Sequence, residues 1–205
     1  MTSSAASIDR QVELDRLTTL YGQSARPAAL GLGLVALVAW LVWDTAPTAA
    51  LVSWIVVKVA LTIGRIEAAR RYTADPAASL RMGTWTRRYA ALMLLDALTW
   101  GLMVPLFSPT ADQAARVLLI AGAVGVAAIG LFITLSHARI AVLFVIASLA
   151  PMALHHAAYG GVAGWSIVGA TLLYFAALAL EAMAAEARQL ELLRLRYENA
   201  AIAED

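Results

Sequence analysis

Lys58 and Asp96 are the two ionisable side chains set deepest in the apolar runs of this sequence. A charge at the centre of a membrane span costs roughly 2.5–3.5 kcal/mol on insertion scales, so such residues are functional candidates by default. Lys58 stands seven residues before Arg65, and Asp96 stands eight residues after Arg88. At about 1.5 Å of helical rise per residue both lie roughly 10–12 Å inward from a flanking layer of arginines. Their depths match, so the two can meet. Three kinds of chemistry fit them: a structural ion pair between neighbouring helices, a polar element of a ligand pocket or switch in which a ligand competes for one partner, or a step in a proton or ion path. The last lacks a second acid within the apolar runs to relay to.

Trp100 followed by Gly101 sets a large ring beside a position of close backbone approach, which serves either core packing or the wall of a pocket. His155 and His156 point about 100° apart on a helix, so they do not form the one-face pair that metal ligation prefers; a pH-responsive interfacial role suits them better. The chain holds no cysteine, which excludes disulfides, thiolate metal sites and cysteine nucleophiles. It also has no phosphate-binding glycine loop, nucleophile elbow, HExxH motif or spaced carboxylate pair. No catalytic residue, metal site or cofactor is therefore expected.

The elements that must hold Lys58 and Asp96 are legible from composition. Of the 205 residues 61% are hydrophobic and 14% charged, with a mean hydropathy of +0.75, whereas a water-soluble domain is about 25% charged. Fold class follows as an all-α polytopic membrane protein. Six runs are long enough to cross a bilayer, at approximately Pro27–Trp43, Pro47–Gly64, Tyr89–Phe107, Ala114–Leu135, Ile140–His156 and Val162–Leu180. Arg10, Arg16 and Arg26 precede the first; Arg65, Arg70, Arg71, Arg81, Arg87 and Arg88 lie between the second and third; Arg139, Arg188, Arg194 and Arg196 fall on the same side. The other side has Arg116 alone, which predicts two cytoplasmic termini. Trp40, Trp43 and Trp165 then fall at the outer interface and Trp85 at the inner one. The small residues Ala121, Gly122, Gly125, Ala128 and Gly130 of the fourth run permit close helix packing. A net charge of +1 without a basic stripe excludes nucleic acid as partner.

Residues 1–26 form an N-terminal segment in which Ile8, Val12, Leu17, Leu20 and Tyr21 make an amphipathic helix, lying either on the inner membrane surface or against the bundle. Residues 27–180 make the six-helix domain, and residues 181–205 a cytoplasmic helix that continues the sixth span without Gly or Pro. There Met183, Leu190 and Tyr197 recur at seven, and Glu186, Leu193 and Ala200 recur at seven three residues later, an a/d seam with one acidic exception. Arg194 and Glu198 are spaced for an i,i+4 pair. A coiled coil of this kind implies a homodimer, with Met183, Glu186, Leu190, Leu193 and Tyr197 carrying signal along the helix.

Several residues in fixed order resemble the six-helix membrane input domains at the N-termini of bacterial sensor histidine kinases, often hybrid kinases, and of diguanylate cyclases. They are Leu20-Tyr21, Trp54, Arg65, Tyr72, Trp85, Trp100-Gly101, Pro151 and the closing run Leu193-Arg194-Leu195-Arg196-Tyr197-Glu198-Asn199. The resemblance implies the bacterial inner membrane as location and an output domain after Asp205, a histidine kinase or alternatively a cyclase. Lys58 and Asp96 depart from the family pattern, which has apolar residues there. With Trp54 and Trp100 they are the candidate ligand-binding or switch residues, for an unidentified ligand of hydrophobic character among membrane lipids. A small transporter is the other class considered, but no matching Gly or Pro breaks occur in the two halves. An intramembrane enzyme lacks a cluster of His, Asp or Glu.

Overall fold

The computed structural model describes the backbone of residues 2–204 and side-chain surroundings for residues 8–24, 26–197 and 199. All regular structure among these residues is helical. Helix α1 (Thr2–Gly22) is followed by α2 (Ala25–Val42), α3 (Thr48–Ala74), a 3-10 turn (Ala78–Leu80), α4 (Met82–Gly101), the short α5 (Met103–Phe107), α6 (Gln113–Thr134), α7 (Ala138–Tyr159) and α8 (Gly161–Glu204). Six helical segments are long and apolar enough to span a membrane, with mean window hydropathies from 1.8 to 2.5. Their outward faces are apolar. Leu30, Trp40, Trp43, Phe132, Leu154, Trp165 and Leu173 are each at least 60% exposed, a pattern that water does not favour and hydrocarbon does.

Close approaches fix the bundle. Helix α7 packs on α4, α6 and α8. At Gly101 a β-carbon would stand 2.7 Å from the Ser148 carbonyl oxygen and 2.8 Å from that of Ala147, so only glycine fits where α4 meets α7. Pro151 stands inside α7 with no backbone N–H to give the carbonyl four residues back, that of Ala147. At Gly130 a β-carbon would strike the ring of Phe144. The third apolar run is not one helix. Pro105 cannot donate to Gly101 and its ring clashes with that carbonyl, so α4 stops and α5 restarts after Leu102. Gly160 and Gly161 adopt φ of 66° and 71°, the left-handed turn that folds α8 back along α7. Asp112 caps α6, its carboxylate accepting from Ala115 N–H at 2.7 Å.

Of the two placements open to the N-terminal segment, α1 takes the one against the bundle: Val12, Leu17, Leu20 and Tyr21 are buried. One expectation is corrected. Trp85 is not at a surface belt but 5% exposed, its ring packed on Tyr21 and Tyr72 and its indole N–H donating to Asp75 at 2.9 Å. A buried tryptophan needs such an acceptor, and the α3–α4 turn provides it. Trp40, Trp43 and Trp165 are exposed at the end away from α1.

Candidate functional site

The inward face of α3 is a single stripe, Leu51, Trp54, Lys58, Thr62, Arg65, Ala69 and Tyr72. Steps of three and four residues keep these side chains on one face of a 3.6-residue helix. Lys58 and Arg65, seven residues apart, therefore point the same way from levels about 10 Å apart. Asp96 on α4 lies between them. Its Oδ1 is bound by Lys58 Nζ, and its Oδ2 accepts from Arg65 Nη1 at 2.9 Å. Lys58 is 2%, Asp96 5% and Arg65 7% exposed. The side chains of Lys58 and Asp96 thus meet, as their depths require. The arginine differs from expectation: Arg65 belongs not to the flanking layer of arginines but to the buried cluster, because it shares the stripe of Lys58 and its long stem reaches inward to the carboxylate.

The cluster holds two cations for one anion. Both carboxylate oxygens are occupied, yet Nε and Nη2 of Arg65 are buried without partners. Lys58 Nζ also lies 3.9 Å from the centre of the Trp100 ring, a cation–π contact that partly replaces lost hydration. Lys58, Arg65, Asp96 and Trp100 line a cavity of about 260 Å³ closed elsewhere by Thr62, Met93, Gly130, Phe144 and apolar residues of α2 and α6. Leu30 on α2 and Ile129 on α6, 78% and 56% exposed, stand at its edge, so it opens sideways between those two helices.

Trp54 does not line this cavity. It braces Trp100 from behind, with edge-on rings 5.6 Å apart, and its indole N–H donates to Thr99 O at 2.7 Å. His155 and His156 stack edge-on at the opposite end, 5.2 Å apart, and no group of three metal-ligating side chains forms among the described residues.

A second polar assembly lies at the α1 end. Tyr21 stacks on Tyr72 at 4.4 Å and meets Trp85 and Tyr89 edge-on. Tyr21 and Tyr89 share with Arg65 the lining of a small space of about 10 Å³. From the same helix Arg16 donates to Ser136 O in the α6–α7 turn and pairs with Glu13 and with Glu186 of α8. Glu13 meets His137 at 3.2 Å, Arg194 bonds Asp9 at 3.0 Å, and Tyr197 O–H donates to Asp15 at 2.6 Å. So α1 touches the charged cluster's neighbours at one end and α8 along its side.

The face of α8 assigned by its heptads to a seam is turned, within one chain, toward α1. Glu186, Leu190, Leu193 and Tyr197 are half-buried there, while Met183 is 52% exposed. The side chains of Glu198 and Ala200 lie outside the described residues, and Arg194 takes Asp9 as its partner. Sequence reasoning missed Arg65 and Arg16. The signal for Arg65 was its seven-residue spacing from Lys58; Arg16 had none, because its partners come from positions 136 and 186.

The chain matches no protein-family model, no curated protein and no solved structure.

Proposed function

We propose that this chain is the sensory input domain of a bacterial membrane signalling protein, crossing the inner membrane six times with both termini cytoplasmic. It detects a ligand in the cavity around Lys58, Asp96 and Trp100 and transmits through α8 to a histidine kinase output domain; a diguanylate cyclase driven by the same helix is the alternative. The observation that carries this reading is the position of α1, wedged between the aromatic residues beside Arg65 and the seam face of α8. A ligand acts only by preferring one of two states. Here the states are α1 seated on α8, and α1 released with the seam face free to pair with a second copy as a coiled coil. Glu186 suits the switch: it is neutralised by Arg16 in the first state and faces a like charge in the second.

Kinase fusion after Asp205 tests the reading. Autophosphorylation should change when Asp96 is replaced by Asn, and Leu190→Cys and Leu193→Cys should crosslink between chains more strongly once Arg16→Ala loosens α1, with Gln189→Cys crosslinking weakly. Crosslinking that ignores Arg16 and lacks a seven-residue period would sink the switch. Impermeant labelling from outside at cysteines replacing Asp44, Asp112 or Gly161, but not Ala77, tests the topology. Flux in proteoliposomes would instead support a transporter.

A further inference from the structure

We propose that the cavity binds a monoanionic amphiphile, with its acidic head on Lys58 and Arg65 and its apolar tail leaving between α2 and α6. It rests on the reading of the chain as a membrane sensor and names the ligand class for that cavity. The charge count points first to an anion. Two buried cations share one carboxylate, and a desolvated excess charge is costly until a counter-charge arrives. A water beside Tyr89 can satisfy an N–H of Arg65, but it carries no charge and leaves the excess in place.

The unpartnered nitrogens specify the head further. Nε and Nη2 form one edge of the guanidinium, the edge that grips a carboxylate or phosphate through two parallel hydrogen bonds. Both atoms are covered, so a head group engages them by turning the guanidinium toward the cavity it lines. That turn moves the neighbour of Tyr21 and Tyr89, and so gives the ligand its route to α1.

The remainder of the cavity demands a tail. Apart from the charged cluster and Thr62, its walls are hydrocarbon, aromatic ring and glycine, and its mouth at Leu30 and Ile129 faces where lipid chains would lie. A groove sharing Pro27, Ile129 and Ile133 continues from this mouth to Arg26 at the α1 end. Arg26 would receive an acidic head at the membrane surface before it moves inward. Both a free long-chain carboxylate and an anionic phospholipid have this chemistry.

The test uses the full chain in nanodiscs of phosphatidylcholine alone or with phosphatidylglycerol, titrated with 2-bromododecanoate, whose bromine quenches nearby tryptophan. Saturable quenching that disappears in Trp100→Phe is expected. The affinity should fall at least tenfold for the methyl ester and for Arg65→Gln, with Arg65→Lys falling between. Ile129→Phe keeps every charge, adds no tryptophan and should narrow the entry, so a destabilised Arg65 variant does not leave the question open. Competition by phosphatidylglycerol assigns the site to a bilayer lipid; undiminished binding in its presence assigns it to a free carboxylate. Equal binding of acid and ester, quenching indifferent to Trp100 and Ile129, or no saturable binding in either membrane would overturn the proposal. Binding is read without an output domain, so a failure here leaves the kinase-fusion result standing, and silence in the fusion leaves the binding result standing.

Discussion

The charged cluster inside the bundle and the polar contacts between α1 and α8 use similar side chains to opposite ends. Inside, Lys58 and Arg65 share Asp96, are nearly inaccessible, and leave one guanidinium edge unpaired. At the α1 end Arg16 holds two carboxylates, Glu13 and Glu186, and Arg194 holds Asp9, and all three carboxylates are more than a quarter exposed. A buried imbalance makes the interior sensitive to one added or removed charge. Pairs whose carboxylates keep water are worth little, about 0–1 kcal/mol for exposed ones, so the polar bonds between α1 and α8 break at smaller cost than the interior cluster. On the proposed reading, the first region registers a charge and the second moves.

The comparison breaks most visibly at Asp96. Asp96→Leu strands two buried cations, and unfolding in detergent should show a loss of about 3–5 kcal/mol. Lys58→Met leaves the balanced Arg65–Asp96 pair and should cost about 1 kcal/mol or less, despite the lost contact with Trp100. Equal losses for the two variants would show that the excess cation carries no penalty, contrary to the reading of the interior.

Packing supplies the next effect. Gly101→Ala should cost about 1–3 kcal/mol, because the new methyl meets the carbonyls of Ala147 and Ser148 and must part α4 from α7. Gly33→Ala, where a β-carbon meets nothing within 4 Å, is the control; the same assay should find it neutral or slightly stabilising, as helical glycine costs about 1 kcal/mol relative to alanine.

At the α1 end Arg16→Ala should lower global stability by about 1–2 kcal/mol, less than Asp96→Leu because the carboxylates it leaves behind keep water. Hydrogen exchange should nevertheless quicken in α1 and in α8 beyond Ala182 while α4 and α7 keep their protection. Uniform acceleration through the bundle would erase the distinction between the two regions.

The smallest effect is a dependence on pH. The Trp85 indole N–H, the Ala77 backbone N–H and Arg81 hold the Asp75 carboxyl below its ordinary range. A depressed folded-state pKa adds stability above the unfolded value of about 3.9 and loses it as pH falls through the folded value. Asp75→Asn should therefore remove a shallow acid-side slope from a melting-temperature profile, leaving the profile unchanged near neutrality in slope.

Much of the architecture was open to reading along the chain. Apolar length fixed the positions of the six long helices, because a run of about 20 apolar residues has few other stable fates. The absence of Gly and Pro after Leu180 foretold the continuous α8. The matched depths of Lys58 and Asp96 foretold their meeting, since the flanking arginines supplied a common ruler. Arg65 escaped because it was counted with that ruler, and a long side chain at a span's end is free to point either way. Trp85 escaped for a related reason: an interfacial tryptophan and one buried beside an acceptor have the same sequence surroundings.

The sequence by itself determined which segments are apolar helices and which turns carry arginine, because each depends on local composition and on the length a helix needs to cross a bilayer. Only the tertiary structure decided that two cations converge on one carboxylate, that a cavity opens beside them between α2 and α6, and that α1 covers the seam face of α8. Those outcomes join residues 31 to 182 positions apart in the chain. Helix rotation and neighbour choice set such meetings, and no local periodicity encodes either.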